Sequence, residues 1–160
     1  MGKSVLQLLR SEARLSAGEI AERLGMTRQA VEAEIKRLEQ EKIILGYRAV
    51  IDPEKVGKET VVAIIEVKVS PQRDVGFDAI ARRIYKFPEV RSCYLVSGAY
   101  DLLLLVEGES LRQVASFVAE KLATLDHVLS TTTHFQLRKY KEAGVLVHEE
   151  EGIERLAVSP

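Results

Sequence analysis

The sequence predicts an α+β fold in two parts, a helical unit first and a unit built on an open β-sheet second. Three observations predict it. Within residues 1–42 apolar side chains recur at helical spacing in three stretches, separated by cap and turn residues. From residue 60 onward, runs rich in valine and isoleucine alternate with amphipathic helical stretches. Between the two, residues 52–59 have the polar, Pro- and Gly-containing character of a linker. The expected layout is a first domain at 1–52, a linker at 53–59, a second domain at 60–142 and a tail at 143–160.

The helical unit follows from local chemistry. Val5, Leu6, Leu8, Leu9 and Ala13 form the apolar stripe of a first helix. Ser16 and Glu19 have capping-box spacing, which satisfies the free N–H groups at the start of a second helix. Ile20, Ala21 and Leu24 face inward on it, and Gly25 ends it, since glycine tolerates the left-handed cap conformation. Thr27 caps a third helix whose inward positions are Val31, Ile35 and Leu38, with Ala30 beside them. Residues 40–42 are polar and end it, and residues 43–51 read as mostly extended. A small residue at the crossing (Ala21), a glycine in the turn (Gly25) and apolar clamps (Val31, Leu38) make a helix-turn-helix, plain or winged-helix-like.

The second unit reads strand (60–69), break (Pro71), helix (75–85), strand (90–97), strand (101–107), helix (110–123), strand (128–137). The first of these helices buries Phe77, Ile80, Ala81 and Ile84; the second buries Leu111, Val114, Ala115, Val118 and Leu122. The order β-α-β-β-α-β is the ferredoxin-like motif. Two helices cover one face of such a sheet, and the other face then alternates to polar. Here Val61-Val62-Ala63-Ile64-Ile65 and Leu102-Leu103-Leu104-Leu105-Val106 are apolar on both faces, so the second face needs a cover. A second subunit supplies it, and homodimerisation through the sheet is expected. Beyond Leu137 come a basic step at 138–141, a short extra strand at 144–147 and an acidic, solvated tail.

Composition narrows the function classes. The 160 residues are 46% hydrophobic and 29% charged, which excludes general disorder. No apolar run approaches the ~18 residues of a membrane span, and residues 5–10 are too short and too soon polar for a signal peptide. Cys93 is the single cysteine, so no disulfide framework or zinc cluster is expected, and the expected compartment is the cytoplasm. Net charge is −1, and residues 1–57 hold ten basic against nine acidic side chains. Any nucleic-acid binding must therefore use a local patch doubled by symmetry. His127, His134 and His148 lack metal-ligand spacing, Ser97 and the threonines lack a general base, and no phosphate loop is present. Neither an enzyme, nor a metal, nor a cofactor is expected.

Two constellations remain. The outer face of the third helix carries Arg28, Gln29, Glu32, Ala33, Lys36 and Arg37. Arg28 and Gln29, with the capping Thr27, lie at the end that enters the major groove of double-stranded DNA and can read bases or hold phosphates. Lys36 and Arg37 suit phosphates. The second constellation is the hairpin Ser97-Gly98-Ala99-Tyr100-Asp101 with Thr131 and Thr133. Asp101 can accept an ammonium, while backbone N–H groups near Gly98 and the threonine hydroxyls can hold a carboxylate, which together match a free amino acid. The same residues also read as a structural turn in which Asp101 caps backbone N–H groups.

Taken in order, the motifs at 15–25, 35–39, 44–47, 87–90, 97–101 and 131–133, followed by Lys141-Glu142, resemble the Lrp/AsnC, or feast/famine, family of prokaryotic transcription regulators over residues 4–142. The resemblance implies an N-terminal helix-turn-helix and a C-terminal RAM domain, an amino-acid-sensing module that dimerises sheet to sheet, with octamer-like assemblies compatible with it. It places the effector at the hairpin, across a subunit interface. Three departures stand out: the chain starts later in the first helix than is usual, Glu34 stands where many relatives carry arginine with Glu32 nearby, and the stretch from Ala143 lies outside the shared core. Acids beside phosphate are repulsive, so these two bear on DNA affinity. The competing readings are an effector-independent DNA-organising protein and a small metabolic enzyme on a dimeric ferredoxin-like domain.

Overall fold

The computed structural model describes residues 4–57, 60–70 and 76–147. The break at Pro71, the helix start at Val75, His148 and the acidic tail from Glu149 lie outside the described residues. The chain divides into two compact units between Val50 and Ile51.

The first unit holds α1 (Val5–Ser11), α2 (Ala17–Leu24) and α3 (Arg28–Gln40). Each start has a side-chain cap. Ser4 and Gln7 form a capping box on α1, a Ser-x-x-Gln spacing that the sequence displays openly. On α2 the Glu19 N–H donates to Ser16 Oγ, while the Ser16 hydroxyl and then its N–H donate to the Glu19 carboxylate and hold that carboxyl below its ordinary range. On α3 the Ala30 N–H donates to Thr27 Oγ1 at 3.2 Å. Gly25 sits at φ +65° after α2, where a Cβ is disfavoured, and turns the chain into α3. The stripes converge on a core of Val5, Leu8, Leu9, Leu15, Ile20, Ala21 and Val31. Ala13 and Ala30 differ from expectation: α1 ends at Ser11, which leaves Ala13 in an exposed turn, and Ala30 is exposed on a flank of α3. After α3 the N–H groups of Ile43 and Ile44 both donate to the Leu38 carbonyl, and residues 45–51 run outside any strand among the described residues.

In the second unit Asp52 caps a short helix, α4 (Pro53–Val56), within the linker stretch. Then come β1 (Val61–Val69), α5 (Asp78–Ile84), β2 (Val90–Leu95), β3 (Leu102–Gly108), α6 (Leu111–Ser116) and β4 (Val128–Phe135), followed by a two-residue hairpin of β5 (Lys141–Glu142) and β6 (Val145–Leu146). The four long strands make an antiparallel sheet in the order β2-β3-β1-β4, the ferredoxin-like arrangement. The register sorts the side chains by face. Ala63, Ile65 and Val67 lie opposite Val106, Leu104 and Leu102, and all six are buried under the helices with Ile80, Ile84, Val114, Phe117 and Leu122. The alternate row pairs Val62, Ile64 and Glu66 with Glu107, Leu105 and Leu103, and no helix among the described residues of this unit covers it.

The second long helix departs from the regular reading. After α6 the chain takes a π-helical turn, Phe117–Leu122, and the Ala123 N–H reaches back five residues to Val118. The extra residue lets both Phe117 and Leu122 enter the core, while Lys121 swings out onto the Glu89 carboxylate. Leu111 and Ala115, expected inward, are exposed instead, because the buried stripe runs through Val114, Phe117 and Leu122. The Phe87 and Phe117 rings meet edge to face, 5.5 Å between centroids.

Candidate functional site

Helical geometry divides α3 into an inner arc and an outer one. Val31 and Leu38 are buried and Ile35 half-buried, which sets the inner arc. At 3.6 residues per turn, the arc directly opposite holds Gln29, Ala33, Lys36 and Gln40, all exposed. In the sequence Gln40 reads only as part of the polar end of the helix, although its spacing, four residues beyond Lys36, places it on this arc. No acid lies on this arc. Arg28 and Glu32 form one flank; Ala30, Arg37 and Glu34 form the other.

The two acids of this helix's flanks, Glu32 and Glu34, are tied to arginines of the same helix. Arg28 Nε donates to Glu32 Oε1 at 2.7 Å. Arg37 is held from two sides: Nε and Nη2 donate to both oxygens of Glu34 at 2.8 and 2.7 Å, and Nη1 donates to Glu41 at 2.6 Å. The Arg37 hydrogen bond holds the Glu34 carboxyl below its ordinary range, and Glu34 and Glu41 raise the Arg37 guanidinium further. The flanking arginines are therefore paired locally, while Lys36 is exposed and has no ion pair among the described residues.

The hairpin between β2 and β3 is clamped onto β1. Asp101 Oδ2 accepts from the Val69 N–H at 2.9 Å, at the bulge where β1 shifts register against β4. The Asp101 N–H donates to the Val67 carbonyl at 3.0 Å, and Lys68 Nζ donates to the Ala99 carbonyl at 3.0 Å. Gly98 has φ +146°, and a Cβ there would meet no atom within 4 Å, so its requirement is conformational rather than steric. Ser97, Gly98 and Ala99 are exposed, Tyr100 and Asp101 half-buried. Thr131 and Thr133 lie elsewhere. They are half-buried on edge strand β4, opposite Val67 and Ile65, so β1 stands between them and the hairpin. One protomer brings Ser97 to Asp101 together but does not bring the threonines to them.

Two further reactive side chains lie on opposite faces of the sheet. Cys93 lies opposite Leu104 on the helix-covered face, and burial pushes its thiol up. His134 lies on the open face, with Nε2 3.4 Å from Glu66. Among the described residues no group of three or more His, Cys, Asp or Glu is placed to hold a metal ion, and no helix is long and apolar enough to cross a membrane.

Comparisons with known proteins agree with this division. A family model for the Lrp/AsnC ligand binding domain matches residues 62–146, and one for a winged helix-turn-helix DNA-binding domain matches residues 2–44. The uncharacterized HTH-type transcriptional regulator YugG of Bacillus subtilis is 48% identical over 157 residues, covering 98% of this chain and 95% of its own. A feast or famine regulatory protein from M. tuberculosis, solved with L-methionine, superimposes with a TM-score of 0.69 at 28% identity, covering 86% of this chain and 90% of that one. A transcriptional regulator from Neisseria meningitidis, solved as its L-Met complex, gives 0.67 at 29% identity, covering 86% and 88%.

Proposed function

Because the chain belongs to the Lrp/AsnC family of transcriptional regulators, we propose that it is a sequence-specific DNA-binding regulator that works as a homodimer and whose assembly or DNA affinity responds to a free amino acid. The observation that carries the reading is the outer arc of α3, where exposed Gln29, Ala33 and Lys36 project beside Thr27 and Arg28 from a helix clamped by Val31 and Leu38. Arg37 is a latent phosphate contact, masked by Glu34 and Glu41.

We place the amino-acid response at the hairpin of Ser97, Gly98, Ala99, Tyr100 and Asp101, with Thr131 or Thr133 contributed from either subunit. Support comes from two structural relatives solved with L-methionine. A ligand bridging two chains biases their assembly and thereby alters DNA affinity. Dimerisation uses the open sheet face, where Val62, Ile64, Leu103, Leu105 and Tyr94 are left partly or largely exposed. A DNA partner puts the protein with the chromosome, in the cytoplasm.

The test is a melting-temperature screen of the free amino acids, followed by fluorescence anisotropy of labelled upstream DNA with and without each hit. The expected result is at least one amino acid that raises the melting temperature and shifts DNA affinity. DNA binding unaltered by every amino acid would favour the effector-independent DNA-organising reading, and equal binding by a chain lacking residues 1–50 would remove α3 from the interface.

A further inference from the structure

The Arg28–Glu32 pair is an odd choice for helix stability. Arg28 is the first residue of α3, where the helix dipole already presents positive charge, and the first turn contains no acid to balance it. The pair also has its base N-terminal to its acid, the weaker orientation for spacing of four. A surface chosen for folding would place the two the other way round. The two arginines of α3 also differ in what their acids leave over. Arg37 has all three guanidinium nitrogens bonded, two to Glu34 and one to Glu41. Arg28 is held through Nε alone, and among the described residues nothing accepts from its Nη1 or Nη2.

Resting on the reading of α3 as the DNA-contacting helix, we propose that Glu32 is a positioning residue for sequence readout, steadying Arg28 by Nε so that its Nη1/Nη2 end meets the N7 and O6 acceptors of a guanine in the major groove. The chemistry favours a base over a phosphate. An arginine paired with a carboxylate has little net charge, so it displaces few counterions and adds little to general affinity. Its remaining N–H groups keep their direction, and direction is what distinguishes guanine from the other bases. The carboxylate also repels phosphate, which discourages Arg28 from swinging to the backbone. Lys36, on the outer arc and without an ion pair among the described residues, supplies the charge that this pair withholds.

The experiment selects duplexes from a randomised pool with the full-length protein, then measures affinity against salt for the selected site and for derivatives with one base pair changed. In the wild type, one guanine per half-site is required, and replacing it costs about tenfold. In Glu32→Ala, affinity for all duplexes rises, the salt slope steepens by about 0.9 per engaged helix, and the guanine preference falls to about twofold. Glu32→Gln, which keeps the acceptor oxygen but not the charge, retains most of that preference while its slope steepens. The double change Arg28→Ala with Glu32→Ala removes a neutral pair, so the preference vanishes and the slope stays at the wild-type value. Lys36→Ala lowers the slope by about 0.9 per helix with base preferences intact. The proposal is overturned if Glu32→Ala keeps the full guanine preference, or if the double change flattens the slope as Lys36→Ala does. Sequence-selective binding that depends on Lys36 but shows no guanine at the Arg28 position overturns the proposal and leaves the DNA-binding reading standing. A wild-type protein that retains no duplex overturns both.

Discussion

Asp101 shows how much one side chain can be asked to do. Its backbone N–H and one carboxylate oxygen are both spent on β1, to Val67 and Val69. The carboxylate therefore serves the fold at the bulge, and whatever it offers a ligand comes from the other oxygen and from its charge. Asp101→Asn separates the two roles, because the amide oxygen can still accept from Val69 while the charge is gone. A charge-assisted hydrogen bond is worth about 1.5–3 kcal/mol. The expected outcome is an amino-acid affinity lowered at least tenfold in calorimetry, with the melting temperature and effector-free DNA binding close to wild type. Unchanged amino-acid affinity in this variant would leave Asp101 as a turn cap alone.

At the scale of the element, α3 carries two basic flanks in different states of readiness. The Arg37 flank is closed by Glu34 and Glu41. The pH dependence of that closure follows from the depressed Glu34 carboxyl. Such a pair is complete above the ordinary glutamate value of about 4.3 and is lost only as pH falls through the lower folded-state value. Masking of Arg37 is therefore constant between pH 6 and 8, and ordinary changes in pH do not release it. Substitution does. Glu34→Gln combined with Glu41→Gln should raise affinity for all duplexes alike and steepen the salt slope by about 0.9 per helix, read by anisotropy across a salt series. An unchanged slope would mean that the freed guanidinium points away from phosphate.

For the whole molecule, the alternation along β3 decides what the sheet does. Leu102 and Leu104 are fully buried beneath the helices, whereas Leu103 and Leu105 are half-buried on the open face beside Val62 and Ile64. Leu103→Glu and Leu104→Glu place the same charge one residue apart and should fail in different ways. At Leu104 the carboxylate is buried without a partner, which costs several kcal/mol and unfolds the domain. At Leu103 it stays at the surface of a single protomer, so the fold survives and association is lost. Light scattering and circular dichroism should show a folded monomer for Leu103→Glu and an unfolded or aggregated chain for Leu104→Glu, against a dimeric parent. A parent that scatters as a monomer at micromolar concentration would remove the sheet face as an interface.

The sequence alone determined whatever depends on near neighbours in the chain. The caps at Ser16 and Thr27, the left-handed Gly25, the inner stripe of α3 and the order of strands and helices were all legible, because each is set by spacing or by the backbone freedom of one residue. The doubly apolar run 102–106 announced a face in need of a cover, but the run is symmetric, and only the register of β3 against β1 decided that Leu103 and Leu105 are the residues left outside. The π-helical turn is not legible in the sequence, because it is set by the packing of both Phe117 and Leu122 into a core built from distant segments. The partners of the charged side chains were likewise decided in three dimensions. Glu32 and Glu34 read as obstacles to DNA when taken singly, yet one holds an arginine by a single nitrogen and the other helps to close an arginine completely. Within one protomer a strand runs between Asp101 and Thr131, because sheet order, which motif spacing does not reveal, decides which segments are neighbours.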